Sequence, residues 1–215
     1  QKICMVGLAS GLVLGNLGFT HCSIEEIGVL RSIPNISIVV PSDPFEVFKI
    51  LEEAVNYKNS LYIRLTAGAN TRIINSKDYK FKIGKAIEIM SGDDVAIIGC
   101  GNILGNCIDA ALSLKKKKIS CSVINMHTIK PIDKKKINEI SKKFKLIITV
   151  EEHNIIGGLG SAVAEVLSGE ISSTKLVRLG AEDYYSSGGS YEYLKNTYGL
   201  SVKKIISTIL KNHEK

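Results

Sequence analysis

Short apolar runs alternate along this chain with stretches whose apolar positions fall three and four residues apart, the two periods that separate strands from helices. Ile3 to Val6, Ile36 to Val40, Leu61 to Leu65, Val95 to Gly99, Ser122 to Asn125, Leu146 to Val150 and Leu176 to Leu179 read as strands. Helices are predicted over Ile24 to Ser32, Phe45 to about Tyr57, about Ile103 to Leu114, Lys134 to Lys143, Ser161 to Leu167 and Val202 to Leu210. Phe45, Phe48, Ile50 and Leu51 supply the expected core face of the second helix. Such alternation is the grammar of an α/β fold with mostly parallel sheets.

Polar punctuation marks the ends. Ser23, with Glu26 three residues on, has the form of a capping box, and Glu25 adds negative charge to the first turn. Pro41-Ser42-Asp43-Pro44 starts the next helix. Asp133 caps the helix from Lys134, and His127 to Asp133 reads as a loop. From Thr66 to Lys82 the periodicity fails, although Ile73-Ile74 could form a short strand. The expected organisation is a parallel-sheet domain over 1–65, a linker over 66–82 and a second, mostly parallel α/β domain over 83–215. The opening Gln1-Lys2-Ile3-Cys4-Met5-Val6 has no initiator Met and no signal-peptide layout, and reads as the cut edge of a longer chain.

The stretch from Thr149 to Glu165 concentrates candidate chemistry. A strand runs into Glu151-Glu152-His153-Asn154 and then, through Gly157-Gly158-Leu159-Gly160, into a helix. A charged turn there lies at the carboxyl edge of the sheet, where α/β folds place sites or interfaces. The competing reading is that the glycines only permit tight packing and positive φ angles. A second candidate is His21, in the glycine-rich loop that follows the first strand. It stands just ahead of a helix, where a neutral ring is free to donate or accept.

Composition narrows the classes. Hydrophobic residues make up 45% of the 215 and charged residues 23%, ordinary proportions for a globular protein, and no apolar run is long enough for a membrane span. Five cysteines, at 4, 22, 100, 107 and 121, form no CxxC pair and read as reduced core cysteines of a cytoplasmic protein. No His/Cys metal cluster is indicated. The formal charge of +7 comes largely from lysine runs at helix ends without interleaved aromatic residues, a solvated surface rather than a nucleic-acid face. Gly99-Cys100-Gly101-Asn102-Ile103-Leu104-Gly105 imitates a dinucleotide fingerprint. Leu104 takes the third glycine position, however, and Asn125 stands where a ribose-binding acid is expected, so a packing turn is the better reading.

Several runs together resemble the C-terminal section of thiamine-diphosphate-dependent transketolases and 1-deoxyxylulose-5-phosphate synthases, above all split transketolases with the two halves on separate polypeptides. They are Gly18-Phe19-Thr20-His21 with Ser23-Ile24-Glu25-Glu26, Arg31-Ser32-Ile33-Pro34-Asn35, Val40-Pro41-Ser42-Asp43 with Glu46, Tyr62-Ile63-Arg64-Leu65, Ile124 to Asp133, and Glu151 to Gly160. The resemblance implies the rear of a pyrimidine-binding domain up to about Leu65, followed by a transketolase C-terminal domain. It implies transfer of a two-carbon ketol unit between sugars, with thiamine diphosphate as carbanion sink and Mg held mainly by a diphosphate-binding N-terminal half or subunit. It assigns catalysis to His21, against the substrate's hydroxyl and carbonyl oxygens. It implies a homo- or hetero-oligomer, and gives Glu151, Glu152, His153 and the glycines an architectural or regulatory role.

Departures from the family pattern bear on the substrate. The glutamate and aromatic residues that hold the aminopyrimidine belong, by resemblance, to a part of the domain ahead of Gln1, so this chain alone is not expected to catalyse. A second family histidine falls on Ala9, an aspartate on Leu17, and an arginine that often holds a substrate phosphate falls about at Ala67. Loss of that charge-assisted contact points to a modified or non-phosphorylated sugar. Two other readings stand beside transketolase: a deoxyxylulose phosphate synthase or 2-oxo-acid dehydrogenase β-subunit-like chain, and a non-catalytic assembly partner.

Overall fold

Two sheets carry the chain. The computed structural model describes residues 1–66, 72–75, 78–169 and 173–213. The first section runs β1 (Cys4–Gly7), α1 (Glu26–Ser32), β2 (Ile36–Val39), α2 (Pro44–Ala54) and β3 (Ser60–Arg64). Then come β4 (Ile87–Met90), β5 (Val95–Gly99), α3 (Leu104–Lys115), β6 (Cys121–Asn125), β7 (Thr128–Lys130), α4 (Lys134–Lys143) and β8 (Leu146–Asn154). The chain continues through α5 (Leu159–Ser168), β9 (Lys175–Ala181), α6 (Tyr191–Thr197) and α7 (Val202–His213).

The first sheet has the order β1-β3-β2-β7 and the second β4-β6-β5-β8-β9. Neighbours pair in parallel except β7 on β2 and β4 on β6. Helices cover the second sheet, which explains why β5 is buried along its whole length and lacks a polar face. The cores do not respect the division of the sequence. Leu12 and Ile24 pack with Val95, Leu194 and Ile205, while Ile27, Ile38 and Val40 pack with Ala96, Ile98 and Ile147. Gly101, at a φ of +69°, brings its backbone against Val40: a Cβ there would lie 2.9 Å from the valine Cγ1. The glycine-rich turn after β5 thus packs one sheet on the other.

Four expectations are corrected. His127 to Asp133 is not all loop, because Thr128–Lys130 pairs antiparallel with β2. Its partner lies far away in sequence, so no local period announces it, and Lys130 Nζ secures the edge by donating to Arg31 O at 2.9 Å and Ile33 O at 2.5 Å. The strand that begins at Leu146 does not stop at Val150 but carries Glu151, Glu152 and His153 inside the protein. On α2, Ile50 is buried, but Phe48 and Leu51 are 65% and 46% exposed, because the helix turns the Glu46 carboxylate inward instead. No strand forms at Ile73-Ile74 among the described residues. Asp43, which caps α2 through Glu46 N, uses its other oxygen to accept from Ile74 N at 2.8 Å and Asn75 N at 2.6 Å.

Candidate functional site

The loop from Leu8 to Glu25 leaves the carboxyl end of β1 and carries His21. Gly18, with φ 95° and ψ 175°, makes a bend that favours glycine and leads into a single 3-10 turn, Phe19–His21. His21 N–H donates to Gly18 O at 3.1 Å and closes the turn. The ring is exposed and shares a 3.1 Å hydrogen bond with the neighbouring Thr20 Oγ1. Leu17 is also exposed, and Ala9 holds a positive φ of 55°. The loop presents His21 outward, while Ala67 lies outside the described residues.

Arg64, at the end of β3, holds the loop from below. It is 2% exposed and its Nε donates to Glu26. Its Nη2 donates to Ser23 O at 3.0 Å and to Glu152 O at 2.8 Å. Burial works against its charge, yet Glu26 and Glu152 raise the guanidinium above its ordinary pKa. The capping box expected from Ser23 and Glu26 therefore does not form. Glu26 serves the buried cation, and α1 begins without a side-chain cap. One charge thus joins β3, the His21 loop and β8, a role signalled in the sequence only by an arginine ending an apolar strand.

The Glu151-to-Gly160 stretch looks inward. Glu151 accepts from Leu159 N at 2.5 Å and Gly160 N at 2.8 Å, closing the start of α5. Burial lifts its pKa to about 7, against those bonds and Arg64. Glu152, raised by burial, accepts from Tyr191, a residue of the unforeseen helix α6. Gly28 N–H donates to His153 Nε2 at 3.2 Å, so Nδ1 carries the proton toward Asn154 O at 2.7 Å. Burial and then Arg64 lower this histidine's pKa, which suits the neutral ring. Gly157, at φ +80°, lies so close to α1 that a Cβ would sit 2.8 Å from Gly28 Cα. These residues dock α1 on α5 within the chain.

A further polar cluster closes the junction below α2. Glu46 accepts from Ser42 N at 2.6 Å, Ser42 Oγ at 2.8 Å, Tyr79 OH at 2.8 Å and Asn125 Nδ2 at 2.8 Å. Nearby, His127 stacks on Phe81 with ring centroids 4.3 Å apart, and burial lowers its pKa from 6.5 to about 4. Because the folded chain resists protonation there, stability should be lost as pH falls from 6.5 toward 4, where only the unfolded chain takes the proton. Melting curves should show wild type losing about 3 kcal/mol relative to His127→Phe across that window. Parallel pH curves for the two would contradict this.

Among the described residues, the carboxylates near the His21 loop and α2 are already engaged within the chain. Glu26 is occupied by Arg64 and Glu46 is enclosed by four donors. Glu25 accepts from Ile24 N at 2.8 Å and from Tyr185 OH at 3.3 Å. None of these carboxylates is free to meet an aminopyrimidine. Among the described residues no group of three His, Cys, Asp or Glu could hold a metal ion, and no helix is long and apolar enough to cross a membrane.

Sheet order, the exposed histidine turn and the inward-facing Glu-Glu-His strand together define an α/β protein built on two mostly parallel sheets. Comparison with known proteins gives the family: residues 1–71 match the transketolase pyrimidine binding domain and 84–205 the transketolase C-terminal domain. The chain belongs to the transketolase family, which is thiamine diphosphate-dependent, and corresponds to its C-terminal section. It is 36% identical to one of the subunits of the apulose-4-phosphate transketolase of Actinobacillus succinogenes, over 97% of this chain and 67% of that protein. It is 34% identical to the 6-deoxy-6-sulfo-D-fructose transketolase subunit of Clostridium sp. (strain MSTE9), over 95% and 63%. A solved split-gene transketolase, described as an inactive β4 tetramer, superimposes with a TM-score of 0.85 at 31% identity, covering 97% of this chain and 65% of that one. The chain thus spans about two thirds of the length of these relatives.

Proposed function

We propose that this chain is the C-terminal part of a transketolase that moves a two-carbon ketol unit between sugars, completed by a diphosphate-binding half that holds most of the thiamine diphosphate and its Mg. The observation that carries the reading is His21, held outward at the carboxyl edge of the first sheet by a 3-10 turn. The cofactor would supply the carbanion sink. His21 would bind and orient the sugar's hydroxyl and carbonyl oxygens and hold or pass a proton at a ring nitrogen. We divide the chain into a partial pyrimidine-binding domain over 1–65, a linker over 66–82 and a C-terminal domain over 83–215. The cysteines, none of them in a disulfide, suit the cytoplasm, although only Cys100, Cys107 and Cys121 are core residues, Cys22 being half-buried and Cys4 exposed on the edge strand β1.

The His21 loop carries Ala9 and the exposed Leu17 where the family pattern has polar residues, which favours a modified or non-phosphorylated sugar. The named substrates of two relatives, an apulose phosphate and a sulfofructose, are both uncommon sugars. In the complex with its diphosphate-binding half, His21→Ala should lower kcat for ketol transfer by about 10²- to 10⁴-fold. An unchanged rate would favour the assembly-partner reading. Efficient turnover of xylulose 5-phosphate with ribose 5-phosphate would defeat the modified-sugar reading alone.

A further inference from the structure

We infer that the segment 183–194, contributed by the second half of the chain, is a clamp that positions the His21 turn. The inference rests on the reading of His21 as a substrate-contacting group. Its first support is a close backbone approach. Gly189 N–H donates to Gly15 O at 2.9 Å, the same carbonyl that accepts Gly18 N at 3.0 Å and closes the turn ahead of Phe19. A Cβ on Gly188 would lie 3.1 Å from Gly18 Cα and 3.2 Å from Gly15 O. Gly188 is not among the glycines with positive φ, so its backbone conformation is open to any residue. The crowding a side chain would meet there comes from the backbone of the His21 loop, which would have to give way to it.

Side chains repeat the contact on both flanks. Tyr185 packs on Phe19, two residues before His21, with ring centroids 5.1 Å apart, and its hydroxyl donates to Glu25 Oε1 at 3.3 Å. At the other end Leu194 fills the space that a side chain on Gly15 would need. The segment is itself fixed to the second core: Tyr198, 6% exposed, donates to Tyr184 O at 3.1 Å and accepts from Ser186 N at 2.9 Å. The His21 turn is thus held on one side by Arg64 and on the other by a segment from beyond β9. A shift of the segment moves Gly15, Gly18 and Phe19, and so moves the ring between the loop and its substrate.

The test uses the chain assembled with its diphosphate-binding half. Gly188→Val should lower kcat by about 10- to 100-fold, the effect of displacing a reacting group by about an ångström, while the oligomeric state is kept. In a His21→Ala background the same change should cost nothing further beyond about twofold, because its harm travels through His21. Losses that multiply in the two backgrounds would overturn the clamp and mark the segment as generally structural. Tyr185→Ala adds no bulk and covers the case in which Gly188→Val does not fold. It too should reduce kcat in the wild-type background and have no effect on His21→Ala. Full activity in Tyr185→Ala would count against the clamp. If His21→Ala alone keeps wild-type activity, the reading of His21 falls. A large His21→Ala loss with harmless Gly188→Val and Tyr185→Ala defeats only the clamp.

Discussion

Replacement of Arg64 by Met should destabilise the chain by about 3–5 kcal/mol, because it removes one partner of a buried ion pair and strands the other. Glu26 would lose the cation that occupies it, and the carbonyls of Ser23 and Glu152 would lose donors at 3.0 and 2.8 Å. Chemical denaturation reads the change directly. A sharper expectation concerns the double variant Arg64→Met with Glu26→Gln, which should be more stable than Arg64→Met alone, since an uncharged amide is cheaper to leave in the interior than a carboxylate. A double variant less stable than the single one would show that Glu26 finds another partner. Because Arg64 joins β3, the His21 loop and β8, the single variant, assembled with its diphosphate-binding half, should also lose ketol transfer before it loses secondary structure.

That hub shows how far local sequence reaches. Most strands and helices were legible because most buried strands begin as apolar runs and the longer helices keep their period, whereas β4, β7 and α6 were not. Asp43 and Asp133 were legible as caps because a cap acts within three residues, and both accept as expected. His21 could be singled out from its motif. What bonds across the chain could not be read. Arg64 reaches Glu26 and Glu152 over 38 and 88 residues, and Ser23 and Glu26, locally a capping box, surrender to that longer pull. The apolar face of α2 was misplaced for a related reason: the Glu46 carboxylate has donors waiting from Tyr79 and Asn125, and such partners are invisible from within the helix. The stretch 183–194 carries no period long enough to announce α6, and its bearing on His21 exists only in three dimensions.

Gly158→Val is expected to be the other severe change. Its φ of −83° suits any residue, so the difficulty is space: a Cβ would overlap the Glu151 carboxylate and approach His153 Nδ1 at 2.7 Å. Expelling Glu151 would leave the amides of Leu159 and Gly160 without an acceptor, at about 1–3 kcal/mol for each buried group. Strain from the added methyls contributes about 1–3 kcal/mol more. Since this junction docks α1 on α5, the damage should fall on folding and assembly more than on turnover in each complex that does assemble. Sedimentation together with activity per assembled complex separates the two. A normal oligomer with lost activity would contradict the architectural role.

The pairing of β7 with β2 also governs the order of events during synthesis. A ribosome releases the chain from its N-terminus, and the first sheet cannot be closed until residue 130 has emerged, well after β3. In that interval the outer edge of β2 is a row of unpaired amides and carbonyls, open to any strand that meets it. The nascent protein is therefore open to wrong partners between the emergence of β2 and that of β7, and the delay is written into its topology.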